Sequence, residues 1–428
     1  YLLNRKAEGE NLDAIHIQGG NPLFGETKIQ GSKNAVLPIM AAALLIEDVC
    51  VIENCPRISD VQHMKQLLEG IGCRVNFTNS AITIDARNIS DDTMSGESVT
   101  GMRSSIMLLG AMLGRVGEVT MAYPGGCVIG ERPIDLHLNA LRRMGVSVYE
   151  KEGGFTARVK SLEGTVLRLP VSSVGATENI ILAAVKARGV TVLQNAAKEP
   201  EIVTVCEFLR EAGAVIEGIG GSVLIIQGGH ELHGIRFKTP PDRIVAGTYL
   251  MSVLGAGGHI FLEDAPVSQM RSMLATARDM GAEISISKEG LTIIAADHTK
   301  AVPYIKTEVY PGFPTDIQSI LMAALTTAQG NSVIEETIFE NRFRIAPQLK
   351  KMGACIELLG SRRAVITGVD SLLGCEVTAQ ELRGGAALVI AGCMAMGETV
   401  IKNRHFIERG YEDICRDYQN LGVNIYTG

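Results

Sequence analysis

The stretch Leu67-Leu-Glu-Gly-Ile-Gly-Cys-Arg-Val75 decides the fold of this 428-residue chain, because it joins the end of a helix to the start of a strand. A glycine that follows an apolar helical segment takes the left-handed conformation that ends the helix. The alternating apolar residues after it suit a strand with one buried face. The stretch therefore predicts a helix, a glycine stop and a strand in immediate succession.

The same phrase recurs five more times along the chain. Its glycines, at successive spacings of 73, 68, 68, 72 and 69 residues, are Gly72, Gly145, Gly213, Gly281, Gly353 and Gly422. A second phrase accompanies each of them, in which an apolar helix gives way to a strand, as at Gly189-Val-Thr-Val-Leu193. Units of roughly 70 residues are too long for the common solenoid repeats. We therefore expect two globular halves of three units each, with two helices and several strands in every unit.

The two halves are expected to divide near Thr239-Pro-Pro-Asp242, between the third and fourth units, because two prolines interrupt regular structure there. The stretch is either a hinge, which lets the halves close on a ligand, or an ordinary surface turn. A chain of this length also exceeds the size at which one hydrophobic core stops growing.

Composition excludes several classes of protein. With 46% hydrophobic and 20% charged residues, the chain is globular rather than disordered or fibrous. A net charge of −7 argues against a general attraction to nucleic acid or to an anionic membrane. The longest apolar runs are shorter than the roughly 20 residues of a spanning helix. Residues 1–14 are polar, lack the apolar segment of a secretory signal, and are assigned no function.

The nine cysteines are odd in number and include no Cys-x-x-Cys pair. Reduced thiols in the cytoplasm are the best interpretation. We expect neither a metal nor a cofactor.

The stretch Tyr123-Pro-Gly-Gly-Cys-Val-Ile-Gly-Glu-Arg-Pro-Ile-Asp-Leu-His137 is typical of a mobile loop over a site. Cys127 is a candidate acid or nucleophile there, and the alternative is a small buried hydrophobic residue. Arg132 precedes a proline, which holds it off the following helix and suits it to a phosphate or carboxylate. Asp135 and His137 either cap that helix or contact a polar ligand.

Other candidates lie where loops meet helices. Gly31-Ser-Lys-Asn34 precedes an apolar helix whose start is a ready anion site, although a solvated Lys33 is the alternative. The backbone N–H groups of Ser172-Ser-Val-Gly-Ala-Thr177 either receive diphosphate oxygens or are capped by Ser173. Four charged residues at similar junctions either converge on one site or form surface salt bridges: Arg103, Asp316, Arg383 and Arg409.

These stretches, together with Pro314-Thr-Asp316, Glu340-Asn-Arg-Phe343 and Arg409-Gly-Tyr411, resemble the UDP-N-acetylglucosamine 1-carboxyvinyltransferases of the enolpyruvyl transferase family over residues 15–428. The cysteine loop is the specific part, since the related EPSP synthases share the fold without it. The resemblance implies an α/β fold of two inside-out α/β domains, each of three βαβαββ repeats, with a cleft between them. Residues 15–33 and 242–428 would form one domain. Residues 34–241 would form the second, which carries the Cys127 loop.

The resemblance also implies the reaction. The enolpyruvyl group of phosphoenolpyruvate would pass to the 3-hydroxyl of UDP-N-acetylglucosamine with release of phosphate, in the first committed step of peptidoglycan precursor synthesis. Cys127 would protonate C3 and Asp316 would accept the hydroxyl proton, while the phosphate and carboxylate would be clamped by Lys33, Arg132 and Arg409. The epoxide fosfomycin would alkylate Cys127.

Further positions correspond to those that bind substrate in the family: Lys33, Asn34, Arg103, Arg132, Pro133, Ile134, Asp135, Leu136, His137, Ser173, Val174, Gly175, Asp316, Ile338 and Arg383. Val171 departs from the Lys that some members carry near the diphosphate.

The expected partners are the two small-molecule substrates, with no nucleic acid and no membrane. The chain is expected to be a monomer or weak homo-oligomer. Two alternatives stay open: transfer to another alcohol acceptor, and a nucleotide-sugar binder without activity. A cysteine hydrolase has little support, because no His lies in a general-base motif.

Overall fold

The computed structural model of the chain describes residues 13–94, 103–125, 130 and 134–428. The chain divides into two compact units. Unit 1 consists of the chain through Ile29, Arg243–Glu308 and Phe313–Gly428, and unit 2 consists of Gln30–Asp242 and Val309–Gly312. The domains expected from the resemblance, 15–33 with 242–428 and 34–241, stay a prediction. The units differ from them at residues 30–33, 242 and 309–312.

The described residues form 24 strands: β1 Ala14–Gln18, β2 Leu23–Lys28, β3 Val49–Glu53, β4 Arg74–Thr78, β5 Ala81–Asp85, β6 Thr93–Met94, β7 Glu118–Ala122, β8 Ser147–Lys151, β9 Gly154–Arg158, β10 Val166–Arg168, β11 Val190–Gln194, β12 Val215–Glu217, β13 Val223–Gln227, β14 Arg236–Lys238, β15 Gly258–Glu263, β16 Glu283–Ile286, β17 Gly290–Ile294, β18 Tyr304–Lys306, β19 Asn331–Glu335, β20 Cys355–Leu358, β21 Arg363–Thr367, β22 Glu376–Thr378, β23 Glu398–Lys402 and β24 Asn424–Thr427.

The α-helices of the described residues are α1 Lys33–Ala42, α2 Ser59–Gly70, α3 Leu108–Arg115, α4 Asp135–Arg143, α5 Val174–Ala184, α6 Pro200–Glu211, α7 Arg243–Ala256, α8 Arg271–Asp279, α9 Thr315–Leu325, α10 Ala346–Lys351, α11 Leu382–Met394 and α12 Ile414–Asn420. Short 3₁₀ helices cover Ala43–Leu45, Arg103–Met107, Val267–Gln269, Arg342–Ile345 and Arg404–Phe406. Among the described helices, none is both long and apolar enough to cross a membrane.

The strands form six four-stranded sheets of one topology, three in each unit. In unit 2 their orders are β14-β3-β5-β4, β6-β7-β9-β8 and β10-β11-β13-β12; in unit 1 they are β2-β15-β17-β16, β18-β19-β21-β20 and β22-β23-β1-β24. The first two strands of each order are parallel and the others antiparallel, so each sheet with its two helices is a βαβαββ repeat. The expected sixfold fold is confirmed. We number the repeats 1 to 6 from the first sheet of unit 2 to the last of unit 1.

Three repeats are completed by strands from distant parts of the chain. β14 supplies the parallel edge of repeat 1 by pairing with β3. β2 does the same in repeat 4 by pairing with β15. β1 lies between β23 and β24 in repeat 6. Both ends of unit 1 are therefore held in its sheets.

The six repeated glycines end helices as predicted. Each has a positive φ, from +83° at Gly422 to +110° at Gly213. At Gly281 the glycine N–H donates to the Arg278 carbonyl at 2.9 Å, and the next N–H, of Ala282, donates to Ala277 at 3.0 Å. This pair of bonds is the Schellman motif, which satisfies the last helical carbonyls and turns the chain into the following strand.

The first helix of every repeat is buried, and the sheets face outward. Every residue of α11 is buried, as are Ala176–Ala184 in α5 and Arg243–Leu254 in α7. The sheets alternate, with one face packed on the helices and the other partly exposed, as in β3. In unit 1, α7, α9 and α11 pack against one another. Each unit is thus inside-out, with its helices in the centre.

The two segments that lead into and out of unit 2 pair with each other. The Ser32 N–H donates to the Pro240 carbonyl at 2.8 Å, and the Asp242 N–H donates to the Gln30 carbonyl at 2.8 Å. Thr239 and Asp242 are buried, so this stretch is not an exposed turn. Hinge motion at this place stays a prediction.

The glycine stops predict a contrast between two substitutions. A Cβ at Gly353 or at Gly70 would meet no atom within 4 Å, but only Gly353 has a positive φ, of +97°. Gly353→Ala should lower the free energy of unfolding by about 1 kcal/mol or more, because an L-residue is strained there. Gly70→Ala, at the end of α2, should raise it by about 0.5 kcal/mol. Urea unfolding of both variants measures this, and a Gly353→Ala variant as stable as Gly70→Ala would contradict the account.

Candidate functional site

The predicted site residues of unit 2 lie at the starts of helices. Lys33 and Asn34 begin α1, Arg103 begins a 3₁₀ helix, Ile134 to His137 form the first turn of α4, and Ser173 to Gly175 form that of α5. Ile134, Leu136 and Val174 are partly buried against the core. Cys127, Arg132 and Pro133 lie outside the described residues.

Lys33 is held in a largely buried ion pair. Its Nζ lies 2.9 Å from Oδ2 of Asp60, and the two side chains are 13% and 2% exposed. The Lys33 N–H donates to Oδ2 of Asp242 at 3.0 Å, so the residue is fixed at both ends. The alternative prediction, a solvated Lys33, is therefore wrong.

Ser173 caps α5, which is one of the two alternatives that the sequence left open at this helix start. Its Oγ accepts a hydrogen bond from the Ala176 N–H at 3.4 Å. The cap engages the third residue of the helix and so orients the first turn, Val174 to Ala176. Gly175 lies against the ring of His137, since a Cβ there would lie 3.1 Å from Cε1 of the ring.

His137 is buried and bonded to α5. Its Nδ1 lies 2.9 Å from Nδ2 of Asn179. Burial, and then the positive charge of Arg103, lower the pKa of His137 to about 4, whereas Asp135 opposes this shift. The ring is therefore neutral at physiological pH, and it contacts the start of α5 rather than acting as a cap or a solvated group.

In unit 1, Asp316 is the centre of a charged cluster. It is the second residue of α9 and 28% exposed. Arg342 donates to its Oδ1, and Arg383 donates to Oδ2 from Nη2 at 3.2 Å. The two arginine side chains are only 1% and 3% exposed. Two buried guanidinium groups thus hold both oxygens of the Asp316 carboxylate.

Buried carboxylates fix the backbone around this cluster. Glu336 accepts hydrogen bonds from the Ile338 N–H at 2.7 Å and from the Thr315 hydroxyl at 2.9 Å, which ties the Ile338 loop to the start of α9. Glu381 is the N-cap of α11 and accepts from the Arg383 N–H at 2.8 Å. Arg383 is held in place by its backbone as well as by its ion pair.

Arg409 is half-buried in the segment between a 3₁₀ helix and α12. Tyr411, two residues further, anchors this segment, because its hydroxyl shares a 2.7 Å hydrogen bond with Thr248 of α7. The guanidinium of Arg383 lies 5.9 Å from the centre of the Tyr411 ring. The segment that carries Arg409 is thus packed beside the Asp316 cluster.

Most of the eight described cysteines are structural. Six of these eight are buried: Cys50, Cys55, Cys73, Cys206, Cys393 and Cys415. Burial raises the pKa of Cys50 to about 11 and that of Cys206 to about 12, which makes them poor nucleophiles. Within the described residues, no group of three metal-ligating side chains is present.

Sequence reasoning missed the residues that hold these groups in place. Asp60, Asn179 and Arg342 were not singled out, although Arg342 lies in one of the stretches that carry the resemblance. Thr177-Glu-Asn179 carried a signal, since it is a polar run inside a buried, otherwise apolar helix. Burial raises the pKa of Glu178 well above its usual range, with further contributions from Glu201 and Glu199.

The fold is that of solved enolpyruvyl transferases. The crystal structure of the enolpyruvyl transferase NikO from Streptomyces tendae matches with a TM-score of 0.86 at 23% identity, covering 96% of this chain and 98% of that one. An EPSP synthase from Acinetobacter baumannii matches with a TM-score of 0.73 at 18% identity, covering 96% and 99%.

The family model of EPSP synthase (3-phosphoshikimate 1-carboxyvinyltransferase) matches residues 17–417, and the chain belongs to this family. A UDP-N-acetylglucosamine 1-carboxyvinyltransferase 2 of Caldanaerobacter subterraneus is 43% identical over 414 residues, which cover 97% of this chain and 99% of the relative. A UDP-N-acetylglucosamine 1-carboxyvinyltransferase of Clostridium botulinum is 41% identical over 416 residues, covering 97% and 99%.

The Lys33–Asp60 pair predicts a stability difference on helix α2. Asp60→Asn should lower the free energy of unfolding by on the order of 3 kcal/mol, because Lys33 would keep its charge in a largely buried place without its carboxylate. Glu69→Gln, which removes the exposed Lys65–Glu69 pair of the same helix, should cost about 0.5 kcal/mol or less. Denaturant unfolding of the two variants compares them, and equal effects would rule out a stabilising role for the buried pair.

Proposed function

We propose that this chain transfers the enolpyruvyl group of phosphoenolpyruvate to the 3-hydroxyl of UDP-N-acetylglucosamine and releases phosphate. The observation that carries this is the similarity, at 43% identity over nearly the whole of both chains, to a relative of that name. The reaction is the first committed step of peptidoglycan precursor synthesis, and the cytoplasm is the compartment where these substrates meet.

The chemistry needs a proton acceptor for the sugar hydroxyl. The 3-oxygen attacks C2 of phosphoenolpyruvate as its proton passes to Asp316, and Cys127 supplies a proton to C3. The tetrahedral intermediate then loses phosphate, and a proton leaves C3 to restore the double bond. The position of Asp316 between Arg342 and Arg383 supports its role, because both carboxylate oxygens are already oriented.

The phosphate and carboxylate of phosphoenolpyruvate need cations to hold them. Lys33, Arg132 and Arg409 are the proposed clamp. The fixed position of Lys33 supports its part, since a preorganised charge does not reorganise when charge develops on the substrate. Arg132, like Cys127 and Pro133, enters the proposal from the sequence resemblance alone.

The nucleotide sugar is proposed to bind along the first turns of unit 2 and the loop of unit 1. The residues are Lys33, Asn34, Arg103, Arg132 to His137, Ser173 to Gly175, Asp316, Ile338 and Arg383. The capped start of α5 supports a diphosphate site, because helix N-termini present N–H groups to anions. Partly buried Ile134 and Leu136 supply apolar contacts.

We further propose that residues 15–33 with 242–428 and residues 34–241 act as the two domains of the enzyme, with the paired segments near Thr239–Asp242 as the hinge. Two domains that close exclude water from the reacting groups. The enzyme is proposed to act as a monomer or weak homo-oligomer.

Phosphate release from phosphoenolpyruvate tests the function. The full chain should release phosphate with UDP-N-acetylglucosamine and not with shikimate 3-phosphate or without an acceptor. Asp316→Asn should lower kcat on the order of 10²- to 10⁴-fold. Asp370→Asn, at an exposed aspartate of the same unit, is the matched control and should be unchanged.

Two other results would contradict the proposal. Equal turnover of shikimate 3-phosphate would assign a different acceptor, and binding of UDP-N-acetylglucosamine with no phosphate release would favour a binder without activity. Full turnover by Cys127→Ser, or no loss of activity with fosfomycin, would remove the thiol from the mechanism.

A further inference from the structure

Asn179 is a buried polar residue inside the central helix α5. It is 0% exposed, and the helix around it is apolar from Ile180 to Ala184. Its amide bonds to three other elements and to its own helix: Oδ1 accepts from Gly110 of α3 at 2.7 Å, and Nδ2 lies 3.0 Å from the Ile106 carbonyl, 2.9 Å from Nδ1 of His137 and 3.4 Å from the Gly175 carbonyl. A buried amide is retained only if such bonds offset its desolvation.

The partners of this amide fix its orientation. The Gly110 N–H can only donate, so the atom that faces it must be the oxygen. The Ile106 carbonyl can only accept, so the atom that faces it must be the nitrogen. Nδ2 therefore donates to Nδ1 of His137. Because Nδ1 accepts, the proton of the neutral ring is on Nε2.

The protonated nitrogen lies beside the start of α5. A Cβ on Gly175 would be 3.5 Å from Nε2 and 3.1 Å from Cε1 of His137, so this edge of the ring adjoins the first turn of the helix. That turn is the proposed diphosphate site. An N–H there adds a donor to the backbone N–H groups of the helix start.

We propose that Asn179 is a positioning residue that fixes His137 in its neutral, Nε2-protonated form, so that the ring donates a hydrogen bond to the bound nucleotide sugar. This rests on the proposed function, since the nucleotide sugar is the substrate of that reaction. The amide also joins three elements to α5: the 3₁₀ helix that begins at Arg103, α3, and the helix α4 that carries His137.

Burial, and then the charges around the ring, keep it neutral. Arg103 from the 3₁₀ helix disfavours a second positive charge, and Asp135 on α4 itself opposes this less strongly. Burial raises the pKa of Glu178 in α5 well above its usual range, which disfavours a negative charge on that side chain. With the pKa of His137 at about 4, the Nε2–H donor is present across the physiological range.

Asn179→Asp is the informative variant. A carboxylate cannot donate to Nδ1, so Nδ1 takes the proton and the neutral ring presents a bare Nε2 to the diphosphate. KM for UDP-N-acetylglucosamine should rise on the order of tenfold near neutral pH, while KM for phosphoenolpyruvate stays unchanged. The new carboxylate beside Nδ1 also raises the pKa of His137. Lowering the pH from about 8 to about 6 should therefore reverse the effect, because the imidazolium carries both protons. The wild type should show no such dependence.

Controls separate positioning from general destabilisation. Asn139→Asp changes an exposed asparagine of α4, whose Oδ1 accepts from Arg142 at 3.0 Å, and should leave both KM values unchanged. In a His137→Gln background, Asn179→Asp should have no further effect on KM, because the two residues act through one bond. Additive effects, or equal increases in both KM values, would overturn the proposal.

Long-range ¹H–¹⁵N spectra of the wild-type imidazole rings test the proposal without any variant of Asn179 and without turnover. His137, assigned by its loss in His137→Gln, should show the Nε2–H form, and an Nδ1–H ring would overturn the inference. If the wild type releases no phosphate with UDP-N-acetylglucosamine, the proposed function fails. The ring form, and the dissociation constant of UDP-N-acetylglucosamine measured by calorimetry, then still decide the role of Asn179.

Discussion

The burial of the first helix of each repeat is the constraint on which the rest of the structure depends. Helices such as α7 and α11 are surrounded by protein along nearly their whole length, so most of their residues are apolar. Their backbone groups bond within the helix, except in the first and last turns. Polar groups that can contact a ligand are therefore concentrated at helix ends. The glycines that end the outer helices return the chain to the sheets that cover the centre.

The candidate site follows from this constraint. A charge at the start of a buried helix needs a partner, and Lys33 has Asp60 whereas Asp316 has two arginines. The same partners fix the side chains in direction, and fixed charges stabilise a transition state without having to reorganise. In the proposed function, stability and catalysis thus draw on the same ion pairs.

Local patterns predicted the fold well because their causes are local. The left-handed position after a helix favours glycine wherever it occurs, so six glycines were enough to predict six repeats. The pairings within the site were not predictable in this way. Asp316 meets Arg342 across 26 residues within repeat 5, and His137 meets Asn179 across 42 residues between repeats 2 and 3. Only tertiary packing decides such contacts. The buried polar run at Thr177–Asn179 was a usable signal, because hydrogen bonds to other elements hold Thr177 and Asn179 in an otherwise apolar helix.

The most direct measurement of the central claim is a crystal structure of the chain with UDP-N-acetylglucosamine bound. If charged first turns of buried helices are the substrate site, the diphosphate will lie within hydrogen-bond distance of the first N–H groups of α5, and the sugar 3-hydroxyl will lie beside the Asp316 carboxylate. A nucleotide sugar bound on the outer face of a sheet, away from every helix start, would contradict the account.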